Sequence, residues 1–177
     1  MPLAIALLTI SDSRNLADDT SGDHLQNRLI EAGHQLIERL ICPDDRYRIR
    51  AEISRWIADS SVDVVITSGG TGLTGRDGTP EAVEPLLDKT IEGFGELFRV
   101  LSFETIGTSA LQSRCLAGVA NGTFVFVLPG SLDAVATAWT RLIQAQLDNT
   151  TRPCNLAQLR ERLREPNDQQ LRRESAL

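Results

Sequence analysis

The sequence predicts a doubly wound α/β domain, a three-layer fold in which helices cover both faces of a mostly parallel β-sheet. Three apolar runs, at residues 3–10, 62–67 and 123–128, have the length and composition of strands that are covered on both faces. Segments in which apolar residues recur at helical spacing lie between these runs. Strands that alternate with helices are typical of a parallel sheet with right-handed crossovers.

The first half of the chain predicts two strand–helix units. Residues 3–10 form the first strand, and Thr20 and Asp23 have the spacing of a capping box at the start of the first helix. Residues 35–41 alternate loosely between apolar and polar side chains, which favours a second strand near an edge of the sheet. Residues 43–45, Pro-Asp-Asp, then begin the second helix.

The segment after the third strand is predicted to be mainly helical. Residues 84–106 carry apolar side chains at helical spacing, and glycines predict a break around residues 93–95. Ser109 and Gln112 form a second capping-box pattern, which predicts a short helix that continues through residue 117.

The last strand–helix unit begins at the turn Asn121-Gly122. Residues 123–128 form the fourth strand, and residues 132–147 form a long helix. We therefore expect residues 1–156 to form one domain. Residues 157–177 lose the aromatic side chains and are rich in arginine, so we expect a C-terminal tail that is partly helical or loose.

Composition excludes several classes of function. A net charge of −6 argues against a nucleic-acid-binding protein, because no basic face is available to neutralise phosphates. The three cysteines form no closely spaced pair, which is typical of a reducing compartment. No apolar run approaches the roughly 18 residues of a membrane span. We therefore expect a cytoplasmic protein with neither nucleic-acid nor membrane partners.

The third strand runs into a glycine-rich loop, Ser68-Gly69-Gly70-Thr71-Gly72, before the next helix begins at Thr79-Pro80. This order of strand, loop and helix allows backbone N–H groups to approach an anion. Residues 70–75 match G-x-G-x-x-G, but they follow the third strand and the helix begins late, which argues against a dinucleotide site. A P-loop is excluded, because Arg76-Asp77 replaces its Lys-Ser/Thr.

Other polar residues follow the remaining strands and should converge with this loop, because the carboxyl ends of parallel strands meet at one edge. Ser11 and Asp12 follow the first strand, Asp44 follows the second, and Pro129-Gly130-Ser131 follows the fourth. Asp44 and Ser131 could equally be simple helix caps. Asp77 would repel a phosphate unless a divalent metal lay between them, or unless Asp77 receives a proton or a donor group.

These residues resemble the MoaB/MogA family of molybdenum-cofactor biosynthesis proteins. Within this family, the resemblance is greater to the bacterial MoaB branch. The resemblance covers about residues 3–156. The motifs that carry it are residues 68–72 with Asp77, residues 79–81, 93–96, 101–114, 129–131 and 151–154.

The resemblance implies a molybdopterin-binding fold, a cytoplasmic homo-oligomer (a trimer or a hexamer) and a late role in cofactor assembly, with other cofactor-assembly proteins as expected partners. The MogA branch adenylylates molybdopterin with ATP and Mg²⁺, and its two functional aspartates match Asp44 and Asp77. Both are therefore the expected catalytic residues and Mg²⁺ ligands. The expected contacts to molybdopterin and nucleotide are Ser11, Asp12, Ser68, Gly69, Gly70, Thr71, Gly72, Thr79, Pro129, Gly130 and Ser131.

Two alternatives remain open at this stage. One is a molybdopterin-binding carrier without transferase activity, and the other is an oligomeric scaffold that binds nucleotide alone.

Overall fold

The computed structural model describes residues 1–163, which form a β-sheet with helices on both faces. The elements of the first half are β1 (Ala4–Ile10), α1 (Thr20–Glu31), β2 (Gln35–Cys42), α2 (Arg46–Ala58), β3 (Val64–Ser68) and α3 (Thr79–Val83). Those of the second half are β4 (Lys89–Thr90), α4 (Glu92–Ile106), β5 (Leu116–Ala120), β6 (Thr123–Leu128), α5 (Leu132–Ala138) and α6 (Gln144–Leu147). Short 3₁₀ helices lie at Glu84–Leu86, Gly107–Gln112 and Ala157–Arg162.

The strands run in the order β2-β1-β3-β6-β5-β4. β1 pairs in parallel with β2 and β3, and β3 pairs in parallel with β6. β5 runs antiparallel to both β6 and β4. The doubly wound, three-layer fold with a mostly parallel sheet is therefore confirmed, and β2 lies at an edge as its loose alternation predicts.

The two faces of the sheet bury separate apolar cores. One face packs against α1, α4 and α5, and the other packs against α2 and α3. Side chains of β1 alternate between the two, with Ile5 and Leu7 in the first core and Ala6 and Leu8 in the second. Because both faces are covered, the central strands are apolar nearly throughout.

The antiparallel part of the sheet differs from the sequence prediction. Ser109 and Gln112 lie in the 3₁₀ helix Gly107–Gln112, and the chain then enters β5, so the predicted helix through residue 117 is wrong. The turn Asn121-Gly122, with φ of 47° and 79°, joins β5 to β6. The sequence of β5, LAGVA, carries little strand signal of its own, and it becomes a strand because it pairs with β6.

The helix α4 also differs from the prediction. It runs unbroken, so the break predicted at residues 93–95 is wrong. The interruption falls earlier, at β4, a two-residue strand that the sequence did not predict. Gly95 allows close packing instead, because a Cβ at this position would lie 2.9 Å from the carbonyl oxygen of Cys115.

Asp19, and not Thr20, caps the first helix. Its Oδ1 accepts a hydrogen bond from the Gly22 N–H at 3.0 Å, and its Oδ2 accepts one from Thr9 Oγ1 at 2.7 Å. Arg39 of β2 pairs with the same Oδ2 at 2.9 Å, and the Asp19 side chain is fully buried. The capping box predicted from Thr20 is therefore wrong, because Asp19 makes these buried contacts one residue earlier.

The last long helix follows the prediction for residues 132–147. A π-helical turn, Trp139–Ile143, connects α5 to α6 without interrupting the helical path. Among the residues that the structure describes, no helix has the length and apolar character needed to cross a membrane.

The segment after α6 returns to the amino-terminal edge of the sheet. Ala157 is buried in the first core with 1% exposure. Arg160 Nε donates to Asp63 Oδ1 at 2.6 Å, and the Ala4 N–H donates to the other oxygen of Asp63 at 2.9 Å. Residues 164–177 of the predicted tail lie outside the described residues, and the division of the chain at residue 156 stays a prediction.

We expect the change Arg160→Met to lower the free energy of unfolding by about 1–2 kcal/mol. Methionine keeps an apolar stem but leaves the buried Asp63 carboxylate with only the Ala4 N–H as partner. Urea unfolding measures the effect. Arg28→Met is the control, because it breaks the exposed Arg28–Glu31 pair and should cost about 0.5 kcal/mol or less. Equal losses in the two variants would contradict a stabilising role of the Arg160 contact.

Candidate functional site

The carboxyl ends of the four parallel strands meet at one edge of the sheet, as the topology requires. The Ser11 N–H donates to Cys42 O at 2.9 Å, which joins the segments that follow β1 and β2. The Gly69 N–H donates to Leu128 O at 3.0 Å, which joins the segments that follow β3 and β6. The structure therefore brings the four predicted loops together.

Glycines permit the closest of these approaches. Gly69 has a φ of 111°, and a Cβ there would collide with the carbonyl oxygen of Ile10. A Cβ at Gly130 would lie 3.1 Å from the Cα of Gly69. These two positions allow the main chain after β3 to lie between the segments after β1 and β6. Since the Gly69 N–H is already bonded to Leu128 O, Gly69 contributes backbone proximity instead of a free donor.

Gly70 lies where the Asp44 and Thr79 side chains converge. Its φ is 64°, and a Cβ would lie 2.8 Å from Asp44 Oδ2 and would collide with Thr79 Oγ1. The Thr79 N–H donates to Gly70 O at 3.0 Å. Thr79 is fully buried, and its hydroxyl has no hydrogen-bond partner among the described residues. The hydroxyl is therefore a polar group that a ligand could satisfy.

Asp44 is not a helix cap, which settles one alternative that the sequence left open. Asp45 caps α2, accepting from the backbone N–H groups of Tyr47 and Arg48 at 3.0 and 2.9 Å. Asp44 is half-buried, and among residues 1–163 its carboxylate accepts one hydrogen bond, from the Gly78 N–H at 3.2 Å.

The environment of Asp44 disfavours its charge. Burial raises the pKa of Asp44, and the nearby carboxylates of Asp77 and Asp12 raise it further, against the opposing hydrogen bond from Gly78.

Asp77 has the opposite electrostatic environment. Its Oδ2 accepts from Thr74 Oγ1 at 2.6 Å and from the Thr74 N–H at 2.8 Å, and these hydrogen bonds lower the pKa of Asp77. The carboxylate lies against Gly72, where a Cβ would be 2.7 Å from Oδ2. The pKa of Asp44 is thus raised and that of Asp77 is lowered, although both residues lie at one loop. Opposite pKa shifts of neighbouring carboxyl groups are frequent at functional sites.

Both carboxylate oxygens of Asp12 accept hydrogen bonds. Its Oδ1 accepts from the Asp44 N–H at 3.1 Å, and Arg76 Nη2 donates to its Oδ2 at 2.6 Å. The hydrogen bond from Arg76 lowers the pKa of Asp12. Arg76 and Asp12 therefore connect the glycine loop to the segment after β1.

The remaining predicted residues have structural contacts at the same edge. Ser131 caps α5, accepting from the Ala134 N–H at 3.3 Å, which is the simple role that the sequence also allowed. Ser21 Oγ donates to Gly130 O at 3.0 Å, and Ser68 Oγ lies 3.5 Å from Thr9 Oγ1. Ser11 Oγ accepts from the backbone N–H groups of the two residues at positions 13 and 14.

A cavity of about 320 Å³ lies beside the glycine loop, between α4 and the beginning of α5. Its size is in the range of small-molecule sites. Thr71, Gly72, Pro129 and Ser131 from the predicted set line it. The sequence did not predict the hydroxyl and amide groups that the second half of the chain adds, which are Ser102, Thr105, Ser109, Gln112, Ser113 and Thr137.

Arg114 is a further residue that the sequence reasoning missed. Its guanidinium donates to Gly72 O at 2.9 Å, to Thr71 O at 3.3 Å and to Asp77 O at 3.0 Å, and it pairs with the Glu81 carboxylate. The only sequence signal was its place within the family-like segment 101–114, because its partners lie 33 to 43 positions away.

The described residues do not by themselves complete a metal site. Within residues 1–163, no group of three or more His, Cys, Asp or Glu side chains is arranged to hold one. Mg²⁺ commonly binds one or two carboxylates and completes its octahedron with water and substrate phosphates. Asp44 and Asp77 fit that donor set, provided that a phosphorylated substrate supplies the other oxygens.

The fold and the site together define a class of protein. An open α/β sheet that gathers a glycine-rich loop, two aspartates and a cavity at the carboxyl ends of its strands is a small-ligand-binding domain.

Comparison with known proteins identifies the family. A family model described as a probable molybdopterin binding domain matches residues 6–149. Molybdenum cofactor biosynthesis protein B of Escherichia coli K12 is 55% identical over 155 residues, which span 88% of this chain and 91% of that protein. The Bacillus cereus protein of the same name is 46% identical over 146 residues, spanning 82% and 86%.

Solved structures agree with this result. A crystal structure of molybdenum cofactor biosynthesis protein B superposes with a TM-score of 0.84 at 40% identity, covering 94% of this chain and 98% of that one. The chain therefore belongs to the MoaB/MogA family of molybdenum cofactor biosynthesis proteins, on its bacterial MoaB side. The resemblance drawn from the sequence is confirmed.

We expect Asp44→Asn and Asp77→Asn to change stability in opposite directions at pH 7. The folded-state pKa of Asp44 lies above the ordinary 3.8, so its ionisation removes stability as the pH rises, and the neutral amide should stabilise. The folded-state pKa of Asp77 lies below 3.8, so its charge contributes stability above that pH, and the amide should destabilise.

Urea unfolding of both variants and the parent chain at pH 7 and near pH 3.5 measures these differences. Both differences should shrink at the lower pH, where the carboxyl groups become protonated. A less stable Asp44→Asn variant at pH 7 would contradict the assignment of Asp44 as a destabilising charge.

Proposed function

We propose that this chain binds molybdopterin and transfers an adenylyl group from ATP to the terminal phosphate of molybdopterin, with Mg²⁺ as cofactor. The observation that carries the proposal is the placement of Asp44 against Gly70 and of Asp77 against Gly72, on a loop that also borders the 320 Å³ cavity. A site for joining two phosphorylated substrates needs both a pocket and carboxylates beside it, and these residues provide both.

The cavity is suited to the pterin part of the substrate. Its walls combine the aromatic ring of Phe98 and the aliphatic side chain of Ile106 with hydroxyl and amide groups such as those of Ser109 and Gln112. A flat, polar heterocycle needs this combination of apolar surface and hydrogen-bonding groups. The loop residues Thr71 and Gly72 line the cavity, and Gly72 also lies against the Asp77 carboxylate, which supports a phosphate position at this side of the cavity.

The chain would promote transfer mainly by alignment. An oxygen of the molybdopterin phosphate attacks the α-phosphorus of ATP, and the bond to the departing pyrophosphate breaks. Asp77, held ionised by Thr74, and Asp44, which lies across Gly70, orient the nucleotide side of the site. Asp44 and Asp77 would hold Mg²⁺, which would supply neutralisation of the phosphate charge. Thr79 offers a buried hydroxyl to the same region.

A molybdopterin-binding carrier without transferase activity is the second candidate. The family description, which names molybdopterin binding alone, favours it. The cavity and the loop would serve a carrier equally well, whereas two carboxylates at the loop, Asp44 against Gly70 and Asp77 against Gly72, are a feature that a carrier does not need.

We also propose that the chain assembles with further copies of itself through α4. Leu97, Val100 and Phe103 recur along this helix with 55–60% of their surface exposed, and Leu111 beside them is 82% exposed. Contiguous apolar surface of this kind is typical of a protein–protein interface. By contrast, the two aromatic residues at positions 94 and 98 are buried in the core.

We expect Asp77→Ala to reduce adenylyl transfer by about a hundredfold or more while molybdopterin binding and folding are retained. Alanine removes a charge that orients the nucleotide side, and Asp77 itself is not among the residues that line the cavity. The measurement is pyrophosphate release from protein, molybdopterin, ATP and Mg²⁺, with ATP alone as the control for hydrolysis.

The same assay separates the candidate functions. A parent chain that binds molybdopterin without releasing pyrophosphate would be a carrier, and one that binds ATP tightly with no dependence on molybdopterin would be a scaffold. A variant with the parental transfer rate would contradict the role of Asp77.

We expect Phe103→Glu to shift the chain from an oligomer towards a monomer, because a carboxylate placed in an apolar contact must be desolvated. Sedimentation velocity at micromolar concentration measures the change. Ile30→Glu is the matched control, since Ile30 is similarly exposed but lies on α1. A parent chain that sediments as a monomer would refute the oligomer itself.

A further inference from the structure

Arg114 comes from the antiparallel part of the fold, whereas the loop that it contacts comes from the parallel part. It lies between the 3₁₀ helix Gly107–Gln112 and β5. Its side chain is partly buried, with 27% of its surface exposed. The residue therefore connects two halves of the sheet at the point where the candidate site is formed.

Every nitrogen of the Arg114 guanidinium donates to the glycine loop or to the helix that follows it. Nε donates to the carbonyl oxygens of Thr71 and Gly72, at 3.3 and 2.9 Å, and Nη2 donates to the carbonyl oxygen of Asp77 at 3.0 Å. Nη1 pairs with the Glu81 carboxylate. Through these contacts, one side chain binds both the beginning and the end of the segment 71–77.

The direction of the bonded carbonyl groups matters for an anionic ligand. A carbonyl oxygen that faced a phosphate would repel it, and the Arg114 hydrogen bonds hold the oxygens of Thr71 and Gly72 towards the guanidinium. Both residues also line the cavity. The planar fork of arginine reaches several acceptors at fixed angles, which the single ammonium of lysine does not.

We infer that Arg114 is a positioning residue of this site, which holds the segment 71–77 in the shape that receives a phosphorylated substrate beside Asp77. The inference rests on the proposed function. It goes beyond that function in assigning a role to a residue that contacts the loop backbone and need not touch the substrate. The positive charge of Arg114 also contributes to the lowered pKa of Asp77, after the hydrogen bonds from Thr74.

A simpler role for Arg114 would be an ion pair that stabilises the fold through Glu81. The two roles differ in what Glu81→Gln should do. Glutamine keeps a side-chain oxygen that can accept from Nη1 but removes the charge, and the three carbonyl contacts of Arg114 stay available. A positioning role therefore predicts that Glu81→Gln is mild and that Arg114→Lys is severe.

The experiment compares the parent chain with Arg114→Lys, Arg114→Ala, Glu81→Gln and the exposed-residue control Arg28→Ala. Molybdopterin affinity is measured by titration calorimetry, and kcat and KM are measured by pyrophosphate release. We expect kcat/KM to fall by about tenfold to a hundredfold in both Arg114 variants. The kcat/KM of Arg114→Lys should exceed that of Arg114→Ala by about threefold at most. Guanidinium ion below denaturing concentrations should restore part of the activity of Arg114→Ala. A merely structural role predicts instead that each variant keeps the parental kcat/KM under conditions where urea unfolding shows it to be folded.

The outcomes separate this inference from the proposed function. If the parent chain binds molybdopterin without transfer, the adenylyl transfer proposal fails, and a tenfold loss of affinity in Arg114→Lys still supports positioning. Parental values of affinity and kcat/KM in Arg114→Lys would overturn the inference. A loss in Glu81→Gln equal to that in Arg114→Ala would also overturn it, since the ion pair alone would then explain the effect.

Discussion

At the carboxyl edge of the sheet, the main chain after β3 lies directly against the chain after β1 and the chain after β6. A Cβ at Gly69 would collide with the carbonyl oxygen of Ile10, and a Cβ at Gly130 would lie 3.1 Å from Gly69. Because no residue larger than glycine fits at these positions, the loops contact one another directly through their backbones. Gly70 extends this arrangement, since its missing Cβ leaves space for the Asp44 carboxylate. The carboxylates can therefore lie against this loop because glycine, which has no Cβ, occupies the positions beside them.

The acidic side chains at this edge differ in how well they are compensated. Asp12 has Arg76 as a partner, the buried Asp19 has Arg39, and Asp77 has two hydrogen bonds from Thr74. Asp44 has one hydrogen bond, and the neighbouring carboxylates of Asp12 and Asp77 raise its pKa further after burial. A destabilised charge of this kind is a feature that proteins usually retain only where it serves a ligand or a reaction.

The parallel half of the fold could be predicted because its signals are local. Apolar runs give β1, β3 and β6, and the residues that end each strand are the ones that meet at the edge. The placement of Asp44 near the glycine loop follows from strand direction alone. Capping details were less predictable, since Asp19 replaces Thr20 as the cap of α1 through contacts with Arg39, which lies on the neighbouring β2. Local spacing does not contain that information.

The antiparallel half could not be predicted, because its structure depends on distant partners. The sequence LAGVA becomes a strand through pairing with β6 and β4, and Gly118 within it has no room for a Cβ beside the carbonyl oxygen of Lys89. Arg114 precedes this strand and reaches Thr71 and Gly72, more than forty positions earlier. The hairpin of β5 and β6 therefore does more than extend the sheet. By fixing Arg114 relative to β3, it connects the glycine loop to the segment that follows α4, and residues of that segment such as Ser109, Gln112 and Ser113 line the cavity.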